Sequence, residues 1–176
     1  MLNLANSLTI LRILVTPVIS IMLVYDLWRL GLAIFLLAGI TDALDGFIAR
    51  SRGQRTELGT ILDPLADKLL LFATFMTLVY LQQIPRWLFI IALSRDLIVV
   101  GGFMVIYIVK GKATVSVSWI GKITTGLQML TVLVTLIARV GGGAGLYVSE
   151  VIYLTAAVTI LSGLDYLRRG TMVLNS

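Results

Sequence analysis

The chain has 176 residues, 59% hydrophobic and only 13% charged, with a mean hydropathy of +1.01; this excludes a soluble globular domain of ordinary make-up and points to a polytopic membrane protein. It contains no cysteine and no histidine. Their absence excludes disulfides, thiolate chemistry, histidine-ligated zinc and histidine-dependent phosphodiesterase chemistry, which leaves carboxylate, lysine, tyrosine or water for any acid–base step.

Residues 1–9 mix apolar and small polar groups at helical spacing, which suits a short N-terminal interfacial helix. Met1–Ala5 lacks a basic leader and no small-residue cleavage site precedes the first apolar run, so the first span is expected to be retained. Apolar segments follow at 8–26, 30–49, 60–82, 85–109, 117–139 and 147–167. About 20 residues cross a hydrocarbon core. The expectation is therefore an all-α integral membrane protein with six transmembrane helices in a single domain over residues 1–176. Pro17 lies inside the first span, where neighbouring helices can re-satisfy the carbonyl it frees. Ser51–Glu57 reads as a polar loop, Ile84-Pro85-Arg86 as a turn, and Gly141–Gly145 as another. No internal repeat is visible, and no inverted pair of interrupted helices of the kind transporters use.

The basic residues set an orientation. The even-numbered loops and the C-terminal end carry Arg50, Arg52, Arg55, Lys110, Lys112, Arg168 and Arg169, against Arg29, Arg86 and Arg139 on the other side. Seven against three places both termini in the cytoplasm, with the basic face toward anionic lipid. A net charge of +5 spread in this way does not suit nucleic acid. Trp28, Trp87, Tyr107 and Tyr147 fall near span ends as interfacial anchors.

The chemistry sits in four aspartates. Asp42, Asp45, Asp63 and Asp67 form the pattern D-x2-D-G-x2-A-R-x8-G-x3-D-x3-D inside or at the ends of apolar stretches. An ionised carboxylate near the bilayer centre costs on the order of 3 kcal/mol even on lenient insertion scales. Spacings of three and four put each pair on one helix face, where two carboxylates about 5–6 Å apart repel by about 3 kcal/mol at an effective dielectric near 20. One resolution is separate pairing of each carboxylate with an Arg or Lys. The other is a pair of divalent cations, magnesium or manganese, about 4 Å apart, which suits an all-oxygen donor set and can bridge substrate phosphates. Gly46 and Gly59 remove side chains where a ligand would approach backbone, and Ala49 is small on the side of Asp42 and Asp45.

Asp42-x2-Asp45-Gly46-x2-Ala49-Arg50-x8-Gly59-x3-Asp63-x3-Asp67 resembles the signature of the CDP-alcohol phosphatidyltransferase family, without departures. The resemblance extends to Asn6–Arg12, Ser94-Arg95-Asp96 and Lys122-x2-Thr125-x2-Gln128. It implies transfer of a phosphatidyl group from CDP-diacylglycerol to a polar or lipid alcohol with release of CMP. It also implies two divalent ions held by Asp42, Asp45, Asp63 and Asp67, with Asp67 as general base, and a homodimer. Thr41, Gly46, Ala49, Arg50 and Gly59 fall on the nucleotide-lipid side, and Asn6 and Thr9, with Arg12, at the metal and pyrophosphate.

Asn6, Thr9 and Arg12 recur every three residues, although Asn6 also suits a helix cap. Arg95 suits either an interhelical ion pair or a two-pronged grip on an acceptor phosphate. Lys122, Thr125 and Gln128 share a face and line the expected acceptor pocket, unless Lys122 only snorkels to the interface.

Within the resemblance, Ser94-Arg95-Asp96 and Leu62–Lys68 are closer to the branch whose acceptor is phosphatidylglycerol. The branch using glycerol 3-phosphate has a further Arg eight residues after the first, where this chain has Phe103. Phosphatidylglycerol is therefore the expected acceptor and glycerol 3-phosphate the alternative. A divalent-cation or proton transporter is the alternative of another class, and it gives Gly46, Ala49 and Arg50 no role.

Overall fold

The computed structural model describes the backbone of residues 4–52, 57–110, 118–141, 145 and 147–175, and the side chains of 9–41, 65–106, 108, 109, 118–141, 145 and 147–172. Among the described residues six α-helices follow one another: α1 Leu4–Val24, α2 Trp28–Arg52, α3 Glu57–Tyr80, α4 Arg86–Lys110, α5 Trp119–Arg139 and α6 Val148–Asn175. Their 21 to 28 residues give lengths of about 32–42 Å at 1.5 Å per residue, enough for a hydrocarbon core of about 30 Å. Among the described residues Arg86–Ile106, Trp119–Arg139 and Val148–Met172 are long and apolar enough to cross a membrane, and Thr9–Val24 and Trp28–Thr41 are shorter apolar stretches. Large apolar side chains stand open on the surface, among them Leu14, Leu37, Ile90, Leu97 and Ile108. A soluble protein does not tolerate that, whereas lipid does. The chain is an all-helical membrane protein.

The interfacial segment expected at residues 1–9 runs from Leu4 into α1 without a break, and α1 continues through Pro17. The sixth helix passes the expected end at 167 and carries Arg168 and Arg169 on its last turns. The turn expected around Pro85 is present: the Leu88 amide donates to the Pro85 carbonyl at 3.1 Å as α4 begins.

The helices fall into two compact units. The first comprises residues 1–83 with 136–143, and in it α1 packs against both α2 and α3. Ile19, Leu23, Phe35, Leu70, Phe75 and Leu78 are buried in it, together with Thr9, Arg12, Thr16 and Thr74. Gly31 brings α2 close to α1, since a Cβ there would stand 2.7 Å from Leu23 Cδ2.

Both α1 and α3 end in the same way. Leu27 N–H bonds the Met22 carbonyl at 2.9 Å and Asp26 N–H the Leu23 carbonyl at 3.2 Å; Gln83 to Leu78 (2.8 Å) and Gln82 to Val79 (3.0 Å) repeat the pattern. These are Schellman closures that satisfy the last carbonyls, with Asp26 and Gln82 at φ of 59° and 58°. Asp26 also accepts from Trp28 Nε1 at 3.1 Å, and the Arg139 guanidinium lies over the Trp28 ring at 4.8 Å.

The second unit comprises residues 84–135 and 144–176, with α4 packed on α6. Hydroxyls fill much of its interior: Thr124, Thr131, Thr135, Thr155, Thr159 and Ser162 are buried. Thr124, Thr131, Thr135 and Thr159 donate to carbonyls four residues back, and Thr131 and Thr155 share a hydrogen bond of 2.8 Å. Small hydroxylated residues that satisfy themselves suit helix packing where water is excluded.

Candidate active site

In the first unit the pivotal contact joins α1 to α3. Arg12 Nη1 donates to Asp67 Oδ1 at 2.7 Å; the arginine side chain is 3% exposed and the aspartate 39%. A guanidinium buried this deeply requires a counter-charge, and the charge-assisted bond in turn fixes the carboxylate's orientation. Asp67 therefore has one edge held by protein and part of its side chain open. Thr9, one turn before Arg12, is buried on the same helix.

Helix α2 carries Asp42 and Asp45 three residues apart, and α3 carries Asp63 and Asp67 four apart, so both spacings fall on continuous helix. The side chains of Asp42, Asp45 and Asp63 lie outside the described residues, as do those of Asn6, Ala49 and Arg50 and the surroundings of Gly46 and Gly59. Carboxylates at these four positions would supply oxygen donors alone, the chemistry that suits magnesium or manganese. Thr41 turns its hydroxyl onto the carbonyls of Leu37 and Ala38 at 2.8 and 3.0 Å.

In the second unit the pivotal residue is Arg95, 6% exposed on α4. Its Nε donates to Ser162 Oγ at 3.1 Å and its Nη1 to Asp96 Oδ1 at 2.8 Å. The guanidinium carbon stands 5.3 Å from the centre of the Tyr166 ring. Helix α5 approaches at Gly121, where an added Cβ would lie 2.7 Å from Arg95 Nη2 and 3.0 Å from the Tyr166 hydroxyl oxygen. The start of α5 is tied to α6 beside this point: the Ser118 amide donates to the Tyr166 oxygen at 3.2 Å, and Ser118 Oγ to Asp165 Oδ2 at 2.8 Å. Asp165 also pairs with Arg169 at 2.9 Å.

Tyr166 also lines an apolar groove of about 140 Å³ between α4 and α6, with Ile98, Gly102, Phe103, Ile106 and Gly170. Of the expected acceptor residues, Gln128 is buried and its Nε2 has no partner among the described residues. Thr125 Oγ1 donates to the Gly121 carbonyl at 3.2 Å. Lys122 is exposed, with its ammonium over the ring of Trp119 at 5.1 Å. Arg95, Thr125 and Gln128 thus share one unit with Lys122.

Sequence reasoning passed over Ser118, Gly121, Ser162, Asp165 and Tyr166. The signal was present, because Asp165 is an ionisable residue within the sixth apolar stretch and is as informative there as the four aspartates.

Comparison with known proteins agrees with this architecture. The family described as CDP-alcohol phosphatidyltransferase matches residues 2–161. A probable phosphatidylglycerophosphate synthase of Mycobacterium tuberculosis is 34% identical over 96% of this chain and 81% of its own. The human cardiolipin synthase (CMP-forming) is 34% identical over 94% of this chain and 60% of its own. A CDP-diacylglycerol–glycerol-3-phosphate 3-phosphatidyltransferase of Rickettsia felis is 35% identical over 94% of each. The chain belongs to the CDP-alcohol phosphatidyltransferase family and is, accordingly, a membrane-bound transferase of phospholipid biosynthesis.

Proposed function

We propose that this enzyme moves the phosphatidyl group of CDP-diacylglycerol onto the hydroxyl of phosphatidylglycerol, releasing CMP. The observation that carries the acceptor assignment is the second unit's combination of a buried arginine and an apolar groove with Tyr166 shared between them. A lipid acceptor with one phosphodiester presents a single anionic charge and long chains, which one guanidinium and an apolar surface match. Phe103, one wall of the groove, adds apolar surface where a small dianionic acceptor would call for another cation.

In this reading Asp67 accepts the proton of the acceptor hydroxyl. The freed oxygen attacks the phosphorus that bears the diacylglycerol; a new P–O bond forms and the bond to the CMP oxygen breaks. Arg12 keeps the Asp67 carboxylate turned to one side, which supplies the positioning on which general-base catalysis depends. Asp42, Asp45, Asp63 and Asp67 would hold two divalent cations, Mg²⁺ or Mn²⁺, whose charge offsets the repulsion of the carboxylates and of the pyrophosphate. Asn6, Thr9, Thr41, Gly46, Ala49, Arg50 and Gly59 serve the CDP-lipid, and Arg95, Lys122, Thr125 and Gln128 the acceptor. The buried donor of Gln128 supports the last assignment, because a substrate oxygen would complete it. The site opens to the cytoplasmic side of a membrane with anionic lipid, both termini lie there, and the enzyme works as a homodimer.

The second reading takes glycerol 3-phosphate as acceptor, favoured by the names of the Mycobacterium tuberculosis and Rickettsia relatives. The deciding experiment gives purified protein CDP-diacylglycerol and Mg²⁺ with phosphatidylglycerol, glycerol 3-phosphate, inositol phosphate or serine in turn. CMP and the lipid product are followed. Turnover with phosphatidylglycerol at least about tenfold above the others is expected; a preference for glycerol 3-phosphate transfers the assignment to the second reading. CMP release that persists without divalent cation would remove the metal from the mechanism.

A further inference from the structure

Arginine offers five N–H donors in a fixed planar fork. Of those on Arg95, Nε is committed to Ser162 and one on Nη1 to Asp96. With Nε committed, a two-pronged grip on an anion would fall to the terminal edge, shared by Nη1 and Nη2. Which way that edge points depends on what holds the plane of the guanidinium.

Three features of α5 and α6 hold it. Ser162 fixes the Nε edge, the Tyr166 ring lies against the guanidinium at 5.3 Å, and the bare Cα of Gly121 admits Nη2 where any side chain would displace it. Tyr166 is itself held, since its oxygen accepts the Ser118 amide while the neighbouring Asp165 accepts the Ser118 hydroxyl. We propose that Tyr166 and Gly121 are positioning residues that aim the terminal edge of Arg95 at the acceptor phosphate, and that the Ser118 clasp holds Tyr166 in place. The inference rests on the reading of Arg95 as the acceptor's anion-binding residue.

The test measures KM for phosphatidylglycerol, KM for CDP-diacylglycerol and kcat for Arg95→Ala, Gly121→Ala, Tyr166→Phe and Tyr166→Leu, with detergent-stable folding checked by thermal unfolding. Gly163→Ala is the control, because its Cβ would only reach ordinary contact with Arg95 at 3.8 Å. Gly121→Ala and Tyr166→Leu are expected to raise the acceptor KM about tenfold, the size of one lost charge-assisted bond. The CDP-diacylglycerol KM should stay within about twofold, since these changes leave the first unit untouched. Tyr166→Phe keeps the ring and loses the oxygen, so its acceptor KM should rise by about threefold, between that of the control and that of Tyr166→Leu. Should Gly121→Ala or Tyr166→Leu fail to fold, Tyr166→Phe still decides the matter. If Arg95→Ala raises the acceptor KM and none of the other variants does, the positioning role is overturned while Arg95 keeps its own. If Arg95→Ala leaves that KM unchanged, the reading beneath the inference falls as well.

Discussion

Among the described residues each unit buries one arginine, and the two are compensated differently. Arg12 is met by a carboxylate from another helix, 55 residues along the chain, at 2.7 Å. Arg95 is met by its sequence neighbour Asp96, by a hydroxyl and by an aromatic face. The first arrangement ties two helices together through the charge and gives Asp67 a fixed direction. In the second the counter-charge is local and takes one donor of Nη1, while the rest of the holding task is spread over uncharged groups. A pair that crosses helices suits a rigid catalytic carboxylate, and a locally balanced guanidinium suits an anion that comes and goes. The division is the one the proposed roles call for, with residues of the first unit proposed to serve the CDP-lipid and residues of the second the acceptor.

The comparison breaks most decisively at Asp67. Replacing it by asparagine keeps an oxygen for Arg12 and removes the base, so CMP release should fall by about 10²–10⁴-fold while the protein remains folded. Activity within about tenfold of the parent would place the base elsewhere. Truncation to alanine tests the structural half. Asp67→Ala takes a carboxylate away from a guanidinium that is 3% exposed and should cost about 3–5 kcal/mol. Asp96→Ala leaves Arg95 with Ser162 and Tyr166 and should cost only about 1–3 kcal/mol. Both are measured by denaturant unfolding in mixed micelles. Equal costs would mean that Arg95 depends on its carboxylate as much as Arg12 does.

The helices were legible because apolar runs of about 20 residues separated by Gly, Pro and charge leave little choice. The aspartates stand out in the sequence because carboxylates in such runs are costly. Partners across helices were not. Arg12 was grouped with Asn6 and Thr9 by spacing, but nothing in a spacing of three names Asp67, which is brought there by the packing of α1 on α3. Tyr166 was invisible for a similar reason. An aromatic residue in an apolar helix is the commonest of sights, and its role comes from Arg95 and Ser118, residues 71 and 48 positions away, brought beside it by helix packing. The interfacial helix merged into α1 because no Gly, Pro or charge lies between Leu4 and Ile10 to end it.

A smaller effect probes the hydroxyl contacts in the interior of the second unit. Thr131 and Thr155 share a bond across α5 and α6, yet each hydroxyl also reaches the Leu127 carbonyl. A double-mutant cycle with valine at both positions should give a coupling of about 0.6 kcal/mol, the usual size for interhelical hydrogen bonds in membranes. A coupling above about 2 kcal/mol would make this pair, rather than apolar packing, the main tie between the two helices.

The smallest expected change lies in the first unit, at the close of α3. Gln82 sits at φ 58° with its amide bonded to Val79, a conformation that costs an L-residue about 1–2 kcal/mol and glycine almost nothing. Glycine loses about 0.5–1 kcal/mol more backbone entropy on folding, so Gln82→Gly should stabilise by about half a kcal/mol. The same substitution at Asp26 would also remove the acceptor of the Trp28 indole, and its gain should vanish. The two variants, compared by unfolding under identical conditions, thus separate backbone relief from side-chain loss at two turns of the same geometry. If Gln82→Gly destabilises, the left-handed closure of α3 is held by the Gln82 side chain and not by the Schellman bonds.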